Sequence, residues 1–122
     1  MRSNRAVPAV LAGLALTACA SVDATLSSAR IGEAARAVDE AKQSNASLNA
    51  PAEIQMAEDK LFEARAAVTR DDYAGAVRLA EQAVVEAEHA RARSDYERLR
   101  RMAEEMRQNI QALRDELQRM PQ

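Results

Sequence analysis

Apolar residues after residue 22 recur every three or four positions, which is the period of an α-helix and not of a strand. The pattern predicts a first helix over about Asp23 to Ser44. The Asn and Ser residues of segment 45–49 are expected to end it, because their side chains compete for backbone hydrogen bonds. The apolar stripe of this helix is sparse and consists of Leu26, Ile31, Ala34, Val38 and Ala41.

A second helix is predicted to begin at Pro51, because the missing N–H of proline costs nothing in a first helical turn. Glu53 lies in the same turn and complements the helix dipole. The short connection at 69–72 predicts an antiparallel neighbour, and Asp71 is expected to be the N-cap of that next helix. The apolar face of the second helix carries Ile54, Ala57, Leu61, Ala64 and Val68.

The third predicted helix is very long, from about Asp72 to Arg119, since no Gly or Pro occurs between Ala76 and Met120. A helix of that length spans about 70 Å. It carries two heptad patterns whose registers differ by two residues, which at about 100° per residue places them on nearly opposite sides. The first half is therefore predicted to pack on the two other helices, while the second half projects. The first pattern is Tyr73, Val77, Ala80, Val84 and Ala87, and the second is Tyr96, Leu99, Ala103, Met106, Ile110, Leu113, Leu117 and Met120.

The second pattern covers a little over three heptads, the lower limit for a coiled coil. With Tyr96 at position a, the e positions are arginines, whereas the g positions from 102 onward include only one acid. A parallel pair would mostly lack acidic partners for these arginines, and an antiparallel pair would bring arginines together. Self-association, a different partner helix and an exposed helix all remain open. The candidate interaction seam is Tyr96, Leu99, Met106, Ile110, Leu113 and Leu117; the e residues are Arg100, Arg107 and Arg114, and the g residues are Met102, Asn109 and Glu116.

Composition supports an all-α chain. Ala, Glu, Arg, Gln and Leu dominate, and they are strong helix formers, while the β-branched runs that strands need are missing. Hydrophobic residues make up 48% of the chain but aromatic ones only 2%, so an alanine-rich core buries little area per residue. We therefore expect a small antiparallel helical bundle with an extended C-terminal helix.

The amino-terminal segment has the layout of a secretory signal peptide: two arginines, an apolar run from 6 to 16, and then small residues. The apolar run is too short to span a membrane. Leu16-Thr17-Ala18-Cys19 resembles the lipobox of bacterial lipoproteins. The resemblance implies that residues 1–18 are removed and that Cys19 carries a diacylglyceryl group on sulfur and an acylated amino terminus. Cys19 is the only cysteine, which excludes an internal disulfide.

Two features bear on location and partners. Ala20 and Ser21 follow the cysteine. Enterobacterial lipoproteins held at the inner membrane usually carry Asp there, so the chain resembles the outer-membrane class. The resemblance implies attachment to the periplasmic face of the outer membrane. Removing Arg2 and Arg5 from the 17 basic residues leaves 15 against 19 acidic ones, a net charge of −4. This acidic balance argues against a nucleic-acid partner.

The segment Ala50-Pro51-Ala52-Glu53-Ile54, with the alanines that follow, resembles an alanine-rich lipoprotein domain of unknown function from Gram-negative bacteria. That domain often precedes an OmpA-like peptidoglycan-binding domain. The resemblance spans about 26–94, which leaves 19–25 as the lipidated amino terminus and 95–122 as a C-terminal extension. Residues 61–83 also resemble a single tetratricopeptide helix pair. The resemblance supplies no catalytic residues.

Candidate chemistry is sparse. The sequence has no Ser-His-Asp arrangement, Gly-rich loop or Cys-His cluster, and His89 is its only histidine, so we expect no enzyme activity, metal or cofactor. These observations predict a non-enzymatic outer-membrane lipoprotein with a structural or adaptor role. A peptidoglycan-associated spacer is an alternative, although the C-terminal lysine of wall-linked lipoproteins is absent. A small-ligand carrier is another, and it would need an apolar cavity.

Overall fold

The computed structural model describes the backbone of residues 14–120 and the side chains of residues 23–120. Its elements are α1 (Leu14–Gln43), α2 (Ala46–Asn49), α3 (Pro51–Val68) and α4 (Tyr73–Arg119). No strand occurs within residues 14–120, which confirms the all-α prediction. The last helix is very long, as predicted. α1 begins earlier than predicted, so the backbone of segment 16–19 lies in its first turns. Residues 1–13 of the predicted signal peptide lie outside the described part.

α4 is the central helix, with α1 and α3 packed against it and less closely against each other. α1 and α4 run parallel, as two ion pairs at matched positions along them indicate. Arg91 Nη1 lies 3.5 Å from Glu40 Oε2, a separation of 51 residues. Arg30 Nε lies 3.7 Å from Glu81 Oε1, at the same separation in sequence.

α3 runs antiparallel to both of the other long helices. The ammonium of Lys42, near the end of α1, pairs with the carboxylate of Glu58 in α3. Arg93 Nη1 of α4 lies 3.7 Å from Glu53 Oε1 at the start of α3. These pairs are partly exposed, so each contributes at most about 1 kcal/mol, and they fix register more than stability.

The core between the helices is built almost entirely from alanine. Among its buried hydrophobic residues only Val38, Ile54 and Leu61 are larger. The largest fully buried side chains of the described residues are those of Ser27 and Ser94. Because an alanine side chain ends at Cβ, the helix backbones can approach closely, but each residue removes little area from water.

Two details of the predicted stripes were wrong. Leu26 is 47% exposed, whereas Ala34, Val38 and Ala41 of the same stripe are buried. On α4, Tyr73, Val77 and Val84 are only half-buried, because the space beside α1 and α3 is filled by smaller residues and the valines lie at its margin. The buried face of α4 is Gly75, Ala76, Ala80, Ala83, Ala87, Ala90 and Ser94.

The N-cap of α4 is Asp72 and not the predicted Asp71. Asp72 Oδ1 accepts from the Gly75 N–H at 2.8 Å, and a Cβ on Gly75 would overlap that carboxylate. Asp71 instead closes α3: it has a φ of 57°, and the N–H groups of Asp71 and Asp72 donate to the carbonyls of Val68 and Ala67, each at 3.0 Å. This pair of bonds is the Schellman motif, in which a left-handed residue follows the helix end.

The corner between α1 and α3 matches the predicted break, with one addition. Asn45 follows α1 in the left-handed conformation, with a φ of 63°, a role that Asn tolerates. The segment 46–49 then forms the short helix α2, and Pro51 occupies the first turn of α3, as predicted. This corner lies beside Ser94 of α4, where burial along α4 ends.

Candidate interaction surface

A polar cluster marks the point at which α4 leaves the bundle. Ser94 Oγ donates to the Ser44 carbonyl at 2.6 Å, and Asn49 Nδ2 donates to Ser94 Oγ at 2.9 Å. Arg101 Nη2 donates to Asn49 Oδ1 at 2.8 Å. The carbonyl at the end of α1, which helical bonding leaves without a partner, is thereby satisfied. The cluster ties the corner of the bundle to α4 on both sides of the junction.

Beyond Ser94, no residue of α4 is buried. We call residues 95–119 the arm; at 1.5 Å per residue it is about 37 Å long. All its large apolar side chains are exposed, those of the predicted seam by 50–69%. Two further a and d positions are Ala103, between Leu99 and Met106, and Met120, just after the arm. Both residues are exposed as well. The predicted seam residues therefore lie along one face of a solvent-exposed helix: Tyr96, Leu99, Met106, Ile110, Leu113 and Leu117.

The seam faces away from α1 and α3. The buried face of α4 repeats at Ala80, Ala87 and Ser94, whereas the seam repeats at Tyr96 and Ala103. This shift of two residues turns the seam by about 200°. The seam therefore lies on the side of α4 opposite to the bundle.

The same outward face continues back along the bundle. Val85 is exposed by 63%, and Ala92 is exposed one heptad later. Sequence reasoning missed both residues, because Gln82 and His89 interrupt the apolar pattern there. Reading the arm's heptad backward from Tyr96 would have identified them.

The arginines that flank the seam bond along their own helix. Arg100 Nη1 lies 3.6 Å from Glu97 Oε2, and Arg107 Nη1 lies 3.3 Å from Glu104 Oε2. Both arginine side chains remain largely exposed, so these pairs contribute little. The guanidinium groups can therefore exchange these carboxylates for acids on a neighbouring chain at small cost.

A second apolar feature lies between α1 and α3. A shallow groove there has Val38 and Leu61 on its floor and the exposed Phe62 at its rim. Charged residues of both helices, among them Asp39 and Arg65, border it. The groove is open and short compared with the seam.

Other chemistry is limited in the part of the chain with described side chains. Residues 23–120 contain no group of three His, Cys, Asp or Glu side chains able to hold a metal ion. His89 is exposed. The Tyr73 hydroxyl donates to Asp71 Oδ1 at 3.0 Å, and that bond and the negative charge raise the pKa of Tyr73. None of the helices in the described region is both long and apolar enough to traverse a bilayer.

Comparison with known families places the chain in the domain of unknown function DUF4398. The family model matches residues 29–106, more than half of the chain, so the protein belongs to this family. The domain-of-unknown-function part of the predicted resemblance is thus confirmed. The match includes the three-helix bundle and extends into the arm as far as Met106, farther than predicted. No curated protein and no solved structure shows significant similarity to the chain.

Proposed function

We propose that the protein is a non-enzymatic lipoprotein attached through Cys19 to the periplasmic face of the outer membrane, with a structural or adaptor role in the envelope. The signal-like segment and the lipobox-like Leu16-Thr17-Ala18-Cys19 support the anchor. Three acyl chains would hold the protein firmly, since each buried methylene contributes about 0.8 kcal/mol. The arm is the interaction element.

The observation that carries the interaction role is the exposed apolar seam of the arm. Six large apolar side chains repeat along one face, each at least half exposed. Contiguous apolar surface of this kind is typical of a protein interaction site, whereas single exposed apolar residues need no explanation. We call α1, α2, α3 and residues 73–94 of α4 the body. Its helices already cover one another's apolar faces, so the seam is available to a partner.

The parallel course of α1 and α4 supports an arm that points away from the membrane. Tyr73, where α4 begins, lies near Asp23 and Leu26 of α1, since these residues line one depression. Cys19 precedes Asp23 by four residues. The lipid would therefore lie at the end of the bundle with the α3–α4 turn, while the arm leaves from the opposite end, beside Asn49.

The anchor is tested by metabolic labelling with an alkyne fatty acid, followed by membrane fractionation. We expect the wild-type chain to be labelled and recovered with the outer membrane. Cys19→Ala should lose the label and leave that fraction, whereas Ser21→Ala, its matched control, should keep both. Labelling that persists in Cys19→Ala would refute the anchor.

The interaction role is tested with a photoreactive residue at Arg107, beside the seam, in intact cells. Glu63 on α3 is the control, because its side chain is exposed too, by 50%, and lies on the body. A specific adduct from position 107 but not from position 63 is expected. Absence of any adduct at 107 would contradict the interaction arm.

A further inference from the structure

We propose that the arm's partner is a second copy of this chain, packed in parallel along the seam. The inference rests on the proposed function in that it names the partner of the same surface. The two α4 helices would point in the same direction. Three observations carry it: the direction of the seam, its register and its charges.

The seam faces away from the rest of its own chain, which leaves room for the bodies of two chains. Since the seam lies opposite to α1 and α3, two α4 helices can meet along their seams with both bodies on the outside. Val85 and Ala92 lie on the same outward face, so the bundle places no bulky element across the contact. Had the seam followed the buried register of Ala87 and Ser94, a second arm would have run into the corner at Asn45 to Asn49.

The heptad register of the seam suits a parallel pair, in which each layer joins two identical residues. In a parallel coiled coil each a or d residue faces its own copy. From Tyr96 to Met120 every such layer is apolar, with the small Ala103 between Leu99 and Met106. Toward the body, His89 and Gln82 occupy a positions, so the continuous contact begins at about Ala92.

The charges beside the seam favour the parallel orientation. Reading the heptad backward places Glu88 and Asp95 at g positions. In a parallel pair a g residue faces the e residue five positions later on the other helix. Glu88 then faces Arg93, which within its own chain lies near Glu53 and Glu97, and Asp95, which pairs with Arg98 in its own helix, faces Arg100. Each pair occurs twice by symmetry. No two residues of like charge meet at g and e positions from Glu88 to Met120.

The antiparallel alternative is unfavourable for the same reason. Full overlap of the two arms would set Arg100 opposite Arg114 of the second copy, and Arg107 opposite its own copy. Like charges at e and g positions select against a pairing. The orientation with complementary charges is also the one that two chains anchored in the same membrane would present to each other.

The direct test is cysteine crosslinking of the full-length protein in cells. Under mild oxidation, Leu113→Cys at a d position should form a disulfide-linked homodimer, because its Cβ atoms would lie within bonding reach. Ala112→Cys, its matched control on the outer side of the helix, should not. The wild-type chain gives the background, since the Cys19 sulfur would carry lipid. A self-crosslink at 113 that is absent at 112 supports the dimer.

Orientation and identity are tested with two differently tagged copies. A crosslink between Ala103→Cys and Leu113→Cys copies that exceeds the 113–113 crosslink would overturn the parallel arrangement. If 113 forms no self-crosslink while the probe at Arg107 captures a different protein, the dimer fails and the interaction arm stands. If neither position gives an adduct, both proposals fail.

A charge exchange tests the register on the Leu113→Cys background. Arg100→Glu sets an acid against Asp95 of the other copy, at both symmetry-related positions, and should lower the dimer association constant roughly tenfold. Asp95→Arg combined with Arg100→Glu should restore it, whereas Arg119→Glu, on the outer side and far from Asp95, should change it little. A crosslinked yield that Arg100→Glu leaves unchanged would overturn the parallel register.

Discussion

The two halves of α4 form a natural comparison. From Tyr73 to Ser94 the helix buries small residues, mainly alanine, against α1 and α3. From Tyr96 onward it exposes Leu, Met and Ile. The larger apolar side chains are thus exposed, whereas the small ones are buried. Burial in this protein depends on whether a neighbouring helix is present, and the hydrophobicity of a residue by itself does not decide it.

The comparison also shows how differently the two halves depend on side-chain size. In the body, alanine permits close helix packing, and each of the few larger core residues buries more apolar area than an alanine does. In the arm, the large apolar residues of the seam are all at least half exposed. The same substitution should therefore affect stability much more in the body than in the arm, and each prediction below uses a matched pair for that reason.

The largest expected effect is on the body's few large core residues. Leu61→Ala should lower the free energy of unfolding by about 2–5 kcal/mol, because Leu61 is buried and the site cannot fully collapse. Leu113→Ala, the same change on the arm, should lower it by less than about 0.5 kcal/mol in dilute solution. Denaturant unfolding followed by circular dichroism measures both. Equal losses would show that arm and body do not differ as described.

Enlarging an alanine should give the next largest contrast. Ala83→Leu should destabilise the body by about 1–3 kcal/mol, because Ala83 is fully buried between helices at close distance. Ala103→Leu should leave the body's melting temperature unchanged and, if the arm dimerises, raise the crosslinked yield by filling the smallest layer. A body that tolerates Ala83→Leu without loss would argue against tight alanine packing.

The junction between the halves should give a smaller effect. Ser94→Ala removes a buried hydroxyl that bonds the Ser44 carbonyl and Asn49 Nδ2, so we expect a loss of about 1.5 kcal/mol. Ser28→Ala is the matched control, since the exposed Ser28 hydroxyl bonds only to its own helix. Thermal unfolding of the two variants should therefore differ. Identical melting temperatures would assign the cluster no part in stability.

The smallest effect is expected at the start of α4. Asp72→Ala removes the N-cap and should cost about 1 kcal/mol. Asp71→Asn should change stability much less, because Asn tolerates the left-handed conformation that Asp71 adopts. If the two substitutions reversed in rank in denaturant unfolding, Asp71 would be the cap after all.

Much of this fold follows from local patterns. Pro51 in a first turn, the three- and four-residue apolar spacing, and the lack of Gly or Pro after Ala76 predicted the long helices and the break between them. These signals act within one or two helical turns. The N-cap was misassigned because two consecutive aspartates can each cap a helix, and only the closing bonds of α3 decide between Asp71 and Asp72.

The candidate surface was only partly predictable. The six seam residues could be identified from the heptad pattern, but Val85 and Ala92 were missed, because His89 and Gln82 interrupt it and only a backward reading from Tyr96 reaches them. The junction cluster was missed altogether. Ser44 and Asn49 lie about fifty residues before Ser94 and Arg101 in the sequence, and no motif links the two pairs.

By itself, the sequence determined the helical class, the approximate ends of α3 and α4, and the existence of two apolar faces on α4, because propensity and periodicity are properties of neighbouring residues. Only the tertiary structure decided which face is covered, where burial ends at Ser94, and that α1 and α4 run parallel with the arm leaving from the corner at Asn49. These depend on contacts between segments about fifty residues apart, across a core built mainly of alanine, and no pattern of neighbouring residues specifies them.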